Sequence, residues 1–133
     1  MARPRLVVPL LGLVLVFLAS ALPAEAQKWV FLGQRHVTDK VERDSIEVTA
    51  SEGTFAAIRI GVKRSAVRFV NVTVVYGTGA SDDLELRETI PAGGRSRVLD
   101  LRGASRVIKR IDFVYEAKSL GRRGAIVEIS GRR

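Results

Sequence analysis

From Trp29 onward, apolar and polar residues alternate in short runs, and clusters of Gly, Ser, Asp and Lys/Arg separate the runs. A period of two places one row of side chains on each face of an extended chain, so each run predicts a half-buried strand. The runs place strands at Trp29–Val37, Ser45–Thr49, Phe55–Val62, Val67–Tyr76, Leu84–Ile90, Ser96–Leu101, Arg106–Glu116 and Ala125–Ser130. No stretch of ten or more residues sustains a clean helical stripe. Val and Ile outnumber Leu across these runs, and β-branched side chains suit a pleated surface better than a helix. About eight strands in one short chain predict an all-β fold, an antiparallel β-sandwich or small barrel.

The pattern repeats once, at an offset of 39 residues. Ile60-Gly61-Val62 matches Leu99-Asp100-Leu101, and Phe69, Val72, Val74 and Tyr76 match Ile108, Ile111, Phe113 and Tyr115. Each copy reads as a strand, a four-residue polar turn and a longer strand, which predicts two hairpins with Ile60 opposite Phe69 and Leu99 opposite Ile108. Both long strands break parity at the same place. Phe69 and Val72, like Ile108 and Ile111, stand three residues apart where strict alternation needs two or four. One extra residue in each strand, a β-bulge near Val70-Asn71 and Lys109-Arg110, restores a single inward face.

The N-terminus differs. Arg3 and Arg5 precede an apolar run from Leu6 to Leu22, and Ala24-Glu25-Ala26 closes it. A basic start, an apolar centre and an A-x-A end predict a cleavable signal peptide over residues 1–26 and a single domain over residues 27–133. The expected location is therefore periplasmic or secreted, with no transmembrane span after cleavage. The chain has no cysteine and one histidine. That excludes disulfides, thiolate metal sites, cysteine nucleophiles and multi-histidine metal centres. No cofactor is expected.

The chain carries a formal charge of +8, unevenly spread. Residues 27–91 hold nine Lys/Arg and nine Asp/Glu, whereas residues 92–133 hold eleven and four. Arg95, Arg97, Arg102, Arg106 and Arg110 crowd the second half of the repeat and are the candidate contacts for an anionic ligand or partner. The planar fork of arginine suits phosphate and carboxylate groups. Strand parity separates Arg97 from Arg102. Export and the absence of interleaved stacking aromatics argue against nucleic acid; an anionic component of the envelope or a protein partner fits instead.

Candidates for chemistry are sparse. His36 with Asp39, Glu42, Asp44 and Ser45 can be drawn as part of a hydrolytic triad, but a surface histidine in a polar loop is the simpler reading. Asp82, Asp83, Glu85 and Glu88 form an acidic cluster without the spacing of a calcium loop. Trp29 is the sole tryptophan; Trp29-Val30-Phe31-Leu32 is expected to pack one side of the first strand into the core, and an exposed Trp29 would instead be a stacking platform for sugar. Asn71-Val72-Thr73 fits a glycosylation sequon but lies inside a predicted strand.

Leu32-Gly33, Asp44-x-Ile46, Gly93-Gly94-Arg95-Ser96-Arg97, Asp100-Leu101 and Arg106-x-Ile108-x-x-Ile111-x-Phe113-x-Tyr115 resemble a family of small exported proteobacterial domains of unknown function. The resemblance spans Trp29 to Glu116 and rests on strand and turn signatures. It implies a β-sandwich outside the cytoplasm, implies no active site, and places Gly33 at a bulge or close backbone approach. The expected function is a non-enzymatic binding or structural module of the cell envelope. The alternatives are a carbohydrate-binding module and a small hydrolase.

Overall fold

A computed structural model describes residues 29–117 and 120–133, so the expected signal peptide lies outside the described residues. Ten strands follow one another: β1 (Trp29–Val37), β2 (Arg43–Glu47), β3 (Thr54–Phe55), β4 (Ala57–Lys63), β5 (Val67–Tyr76), β6 (Ser81–Asp83), β7 (Thr89–Ile90), β8 (Leu99–Asp100), β9 (Arg106–Tyr115) and β10 (Ala125–Arg132). A short 3-10 turn spans Ala50–Glu52. The strands build an antiparallel sandwich. One sheet has the order β1-β10-β4-β8; the other has the order β2-β9-β5-β6, with β3 added beside β9 and β7 beside β5.

Alternation does the sorting. In β10, Ala125, Val127 and Ile129 face the core, while Ile126, Glu128 and Ser130 stay partly exposed. From the other sheet, Phe69, Val72, Val74, Ile111, Phe113 and Tyr115 close the same core, each no more than 1% exposed. Burial of this apolar surface is the main favourable term in folding.

Both expected bulges are present, at opposite ends of one pair of strands. Between β5 and β9 the register slips at Val70, between Phe69 and Asn71, and again opposite Lys109, where Val75 pairs with Arg110 and Tyr76 with Ile108. Moving each residue of β5 forward by the repeat offset, and each of β9 back, maps the ladder onto itself. Asn71↔Val114 becomes Val75↔Arg110, Phe69↔Tyr115 becomes Tyr76↔Ile108, and Val72↔Phe113 becomes Val74↔Ile111. Only Thr73↔Asp112 maps onto its own pair, so a local pseudo-twofold axis passes between these two residues.

The hairpins are corrected. β4 pairs with β10 and β8, and β5 pairs with β9, so Ile60 is not opposite Phe69 and Leu99 is not opposite Ile108. The polar turns 63–66 and 102–105 instead carry the chain from one sheet to the other. Each copy of the repeat contributes one strand to each sheet, and the copies pair with one another: β4 with β8 and β5 with β9. Apolar residues that look cross-strand in sequence therefore enter one core from opposite sheets.

Two predicted strands shrink. Within 84–90 only Thr89–Ile90 joins a ladder. Asp83 accepts the Glu85 amide at 2.7 Å, and Glu85 adopts a positive φ of 54°, so the backbone turns while Leu84 and Leu86 remain buried. Within 96–101 only Leu99–Asp100 pairs. There the Ser96 hydroxyl accepts the Ile60 amide at 2.9 Å and donates to the Arg97 carbonyl at 2.7 Å, taking the place of ladder bonds.

Tyr76 and Tyr115 occupy equivalent ends of the pseudo-twofold pair and are each 1% exposed. Burial raises both phenols above the ordinary value, reinforced by Asp82 at Tyr76 and by Asp44 at Tyr115. A folded-state pKa above the unfolded one contributes stability that is intact below about pH 10 and lost as pH rises through the folded value. The urea midpoint is therefore expected to fall above about pH 10. Tyr76→Phe, which removes one titrating group, should flatten that fall.

Candidate functional site: a polar cleft on the larger sheet

The outward faces of β2, β9 and β5 carry polar side chains in cross-strand rows. Ser45, Asp112 and Thr73 form one row and continue to Asp83 of β6; Glu47 and Arg110 form the next, and Arg43, Val114 and Asn71 a third. Neighbouring strands lie about 4.8 Å apart, which sets the spacing of groups along a row. Apart from Asp83, these residues line an open cleft of about 980 Å³, walled by Gly33, Gln34 and Arg35 of β1.

The wall depends on β1 coming close to β2. The β1 register slips between Phe31 and Gly33, and a Cβ at Gly33 would stand 2.8 Å from Ile46 Cγ2. Any larger residue pushes the two strands apart, which accounts for glycine at a bulge. Arg35 then reaches Asp44 at 2.7 Å and ties the strands together.

Asp112, on the pseudo-twofold axis, organises the floor. It accepts the Ser45 hydroxyl at 2.7 Å and the Arg110 Nε at 3.0 and 3.1 Å. Beside it the Asn71 amide donates to Thr73 Oγ1 at 3.4 Å, while Asn71 Oδ1 is buried and accepts nothing. Arg35, Arg43 and Arg110 balance Asp44, Glu47 and Asp112 in the lining, so the cleft offers donors and acceptors without net charge.

The five arginines singled out from sequence are dispersed. Arg110 lies in this cleft. Arg106 stacks 3.7 Å over the Tyr76 ring and donates to the Arg102 carbonyl at 3.0 Å, fastening an inter-sheet turn. Arg97 and Arg102 border a smaller cleft of about 370 Å³ together with Asp82, Asp83, Glu85 and Asp100. There Arg97 donates to the Glu85 carbonyl at 3.4 Å and Arg102 lies 3.8 Å from Asp82. Arg95 sits on the opposite sheet, bridged to Gly61.

The triad fragment is not assembled. His36 meets the Arg123 carbonyl at 3.3 Å, Ser45 is bonded to Asp112, and Asp44 to Arg35. Among the described residues no group of three or more His, Asp or Glu is placed to hold a metal, which covers the Asp82–Glu88 cluster. Tyr76 and Tyr115 are buried, whereas Trp29 and Phe31 remain accessible. Sequence reasoning marked Ser45 only within a triad fragment, and Asn71 and Thr73 only within a sequon, not as residues of one binding surface. The signal that marks them is polar side chains at the outward parity of strongly apolar strands, legible once the bulge is counted.

The fold is shared with part of AlgX of Pseudomonas aeruginosa, at a TM-score of 0.53 and 17% identity over 80% of this chain; the chain spans 26% of that protein's length. A lysine-to-alanine variant of the family 29 carbohydrate-binding module CBM29-2, solved with cellulohexaose, matches at a TM-score of 0.38 and 20% identity, over 71% of this chain and 63% of that one. No curated protein matches in sequence. A family profile matches residues 10–131, nearly the full length, and the chain accordingly belongs to the family described as Domain of unknown function (DUF2541).

Proposed function

We propose that the protein is an exported, non-catalytic binding module of the cell envelope whose cleft holds a neutral, polyhydroxylated chain such as an oligosaccharide. The observation that carries this reading is the charge-balanced lining, in which three arginines face three carboxylates among Ser, Thr and Asn. Each hydroxyl of a sugar both donates and accepts, so it is matched by neighbouring carboxylates and guanidinium or amide groups. An anion would meet as many carboxylates as cations there.

Amide chemical shifts should be followed while the purified protein is titrated with neutral β-linked hexasaccharides of glucose, mannose and xylose. Shifts confined to Ser45, Asn71, Thr73 and Asp112 are expected with one of them, at an affinity that barely changes with salt. Asp112→Ala should weaken binding about ten-fold, since it leaves Ser45 and Arg110 without their shared acceptor. Shifts lying elsewhere, or none with any of the three sugars, would refute the assignment.

A further inference from the structure

The opposite face of the sandwich has different chemistry. By register, the outward rows of the four-stranded sheet are Trp29–Arg132–Ala57–Asp100, Phe31–Ser130–Arg59 and Gln34–Glu128–Gly61–Arg95. Phe31 is 57% exposed, more than any other large apolar residue among those described. Next to it the Arg59 guanidinium lies 4.1 Å over the Trp29 ring, and Arg132 approaches the same ring at 5.5 Å.

The two carboxylates of this face are already engaged. Glu128 pairs with Lys63 at 3.0 Å, and Asp100 with Arg132 at 3.7 Å. Among the described residues Arg59 and Arg95 make no ion pair. Burial, and then the charge of Arg95, hold the Arg59 guanidinium below its usual value, so the two like charges oppose each other across an open surface. At Gly61, between them, an added Cβ would find no atom closer than 3.9 Å. Stacking on an indole restrains a guanidinium while its in-plane N–H groups remain directed outward.

We propose that this face docks on an anionic lipid surface, with Arg59 and Arg95 taking headgroup phosphates and Phe31, beside Trp29, entering the interfacial layer. An arginine couple without ion pairs and an exposed Phe31 beside a half-buried Trp29 on one sheet face match the two attractions that hold peripheral proteins at a bilayer, charge and apolar insertion. An acidic glycan fits less well, because Arg59 covers one side of the Trp29 ring on which a sugar would stack. The cleft on the other sheet plays no part in this inference.

Trp29 is the only tryptophan, so intrinsic fluorescence reports on this face alone. The purified protein should co-sediment with vesicles of phosphatidylcholine and phosphatidylglycerol mixed in equal parts, and not with phosphatidylcholine alone. Binding should weaken as salt rises, and Trp29 emission should move to the blue and be quenched by brominated acyl chains. Arg95→Gln, at an exposed position, should cost roughly five-fold in binding, and Arg59→Gln with Arg95→Gln roughly 25-fold. Phe31→Ser should reduce the blue shift, while Asp112→Ala should leave vesicle binding intact, which separates this inference from the cleft. Absence of binding to the mixed vesicles, binding that leaves Trp29 emission unmoved, or indifference to the arginine substitutions would overturn it. So would a Trp29 response to soluble polygalacturonate without one to vesicles, which would assign the face to acidic glycans.

Discussion

Deletion of Val70 is expected to abolish folding, whereas Val70→Ala should cost no more than about 1 kcal/mol. Val70 is 41% exposed, so its side chain contributes little to the core. Its backbone is the extra residue of the bulge. Without that residue, strict alternation turns Val67 and Phe69 outward if Val72 and Val74 stay inside, or the reverse. Val67 is fully buried and Phe69 is 1% exposed. Losing a buried Phe alone costs about 3–5 kcal/mol, against a total stability of about 5–15 kcal/mol for an ordinary domain. Circular dichroism and urea titration of the two variants decide the matter. A deletion variant with the parent's midpoint would mean that the bulge does not govern parity.

The second large effect is expected at Phe113. Phe113→Ala should lower stability by about 3–5 kcal/mol, through lost transfer energy and the cavity left behind. Phe113 is 1% exposed, meets Phe69 edge-on at 6.1 Å and lies 6.0 Å from Tyr115. It pairs with both Asp44 and Val72, so three strands converge on it. It also adjoins Asp112, and the cleft should loosen with the core. Urea unfolding checks the energy; a loss below about 1 kcal/mol would show that the core tolerates a void at its centre.

How far the residues foretold the fold depends on how local the cause was. Parity along a single strand is local. The bulges at Val70 and Lys109 followed from counting, and β1 and β5 begin and end where alternation begins and ends. Pairing is not local. Ile60 and Phe69 suit a hairpin as well as a contact across the core, and only the packing of both copies of the repeat selects the second. In 84–90, the alternating Leu84 and Leu86 mimic a strand because burial alone produces alternation, whatever turn Asp83 imposes on the backbone.

The site was less legible for a related reason. Arginine density drew attention to residues 95–110, yet Arg106 serves Tyr76 and a turn, and Arg95 faces the far side. A charge count in sequence does not say which face each charge reaches. The cleft draws on β1, β2, β5 and β9, and no sequence window contains them together. Its quiet members, Ser45, Asn71 and Thr73, gain meaning only from alignment with Asp112.

The pseudo-twofold axis through Thr73 and Asp112 bears on direction. Seen from above the cleft, the β5–β9 ladder is the same from either end, whereas β1 and β2 line the cleft on the β9 side alone. The side chains break that equivalence. The counterpart of Asn71 is Arg110, and the counterpart of Thr73 is Asp112. The Asn71 row adds the cation Arg43, while the Arg110 row adds the carboxylate Glu47, so a chain with two unlike ends would meet different groups in its two orientations.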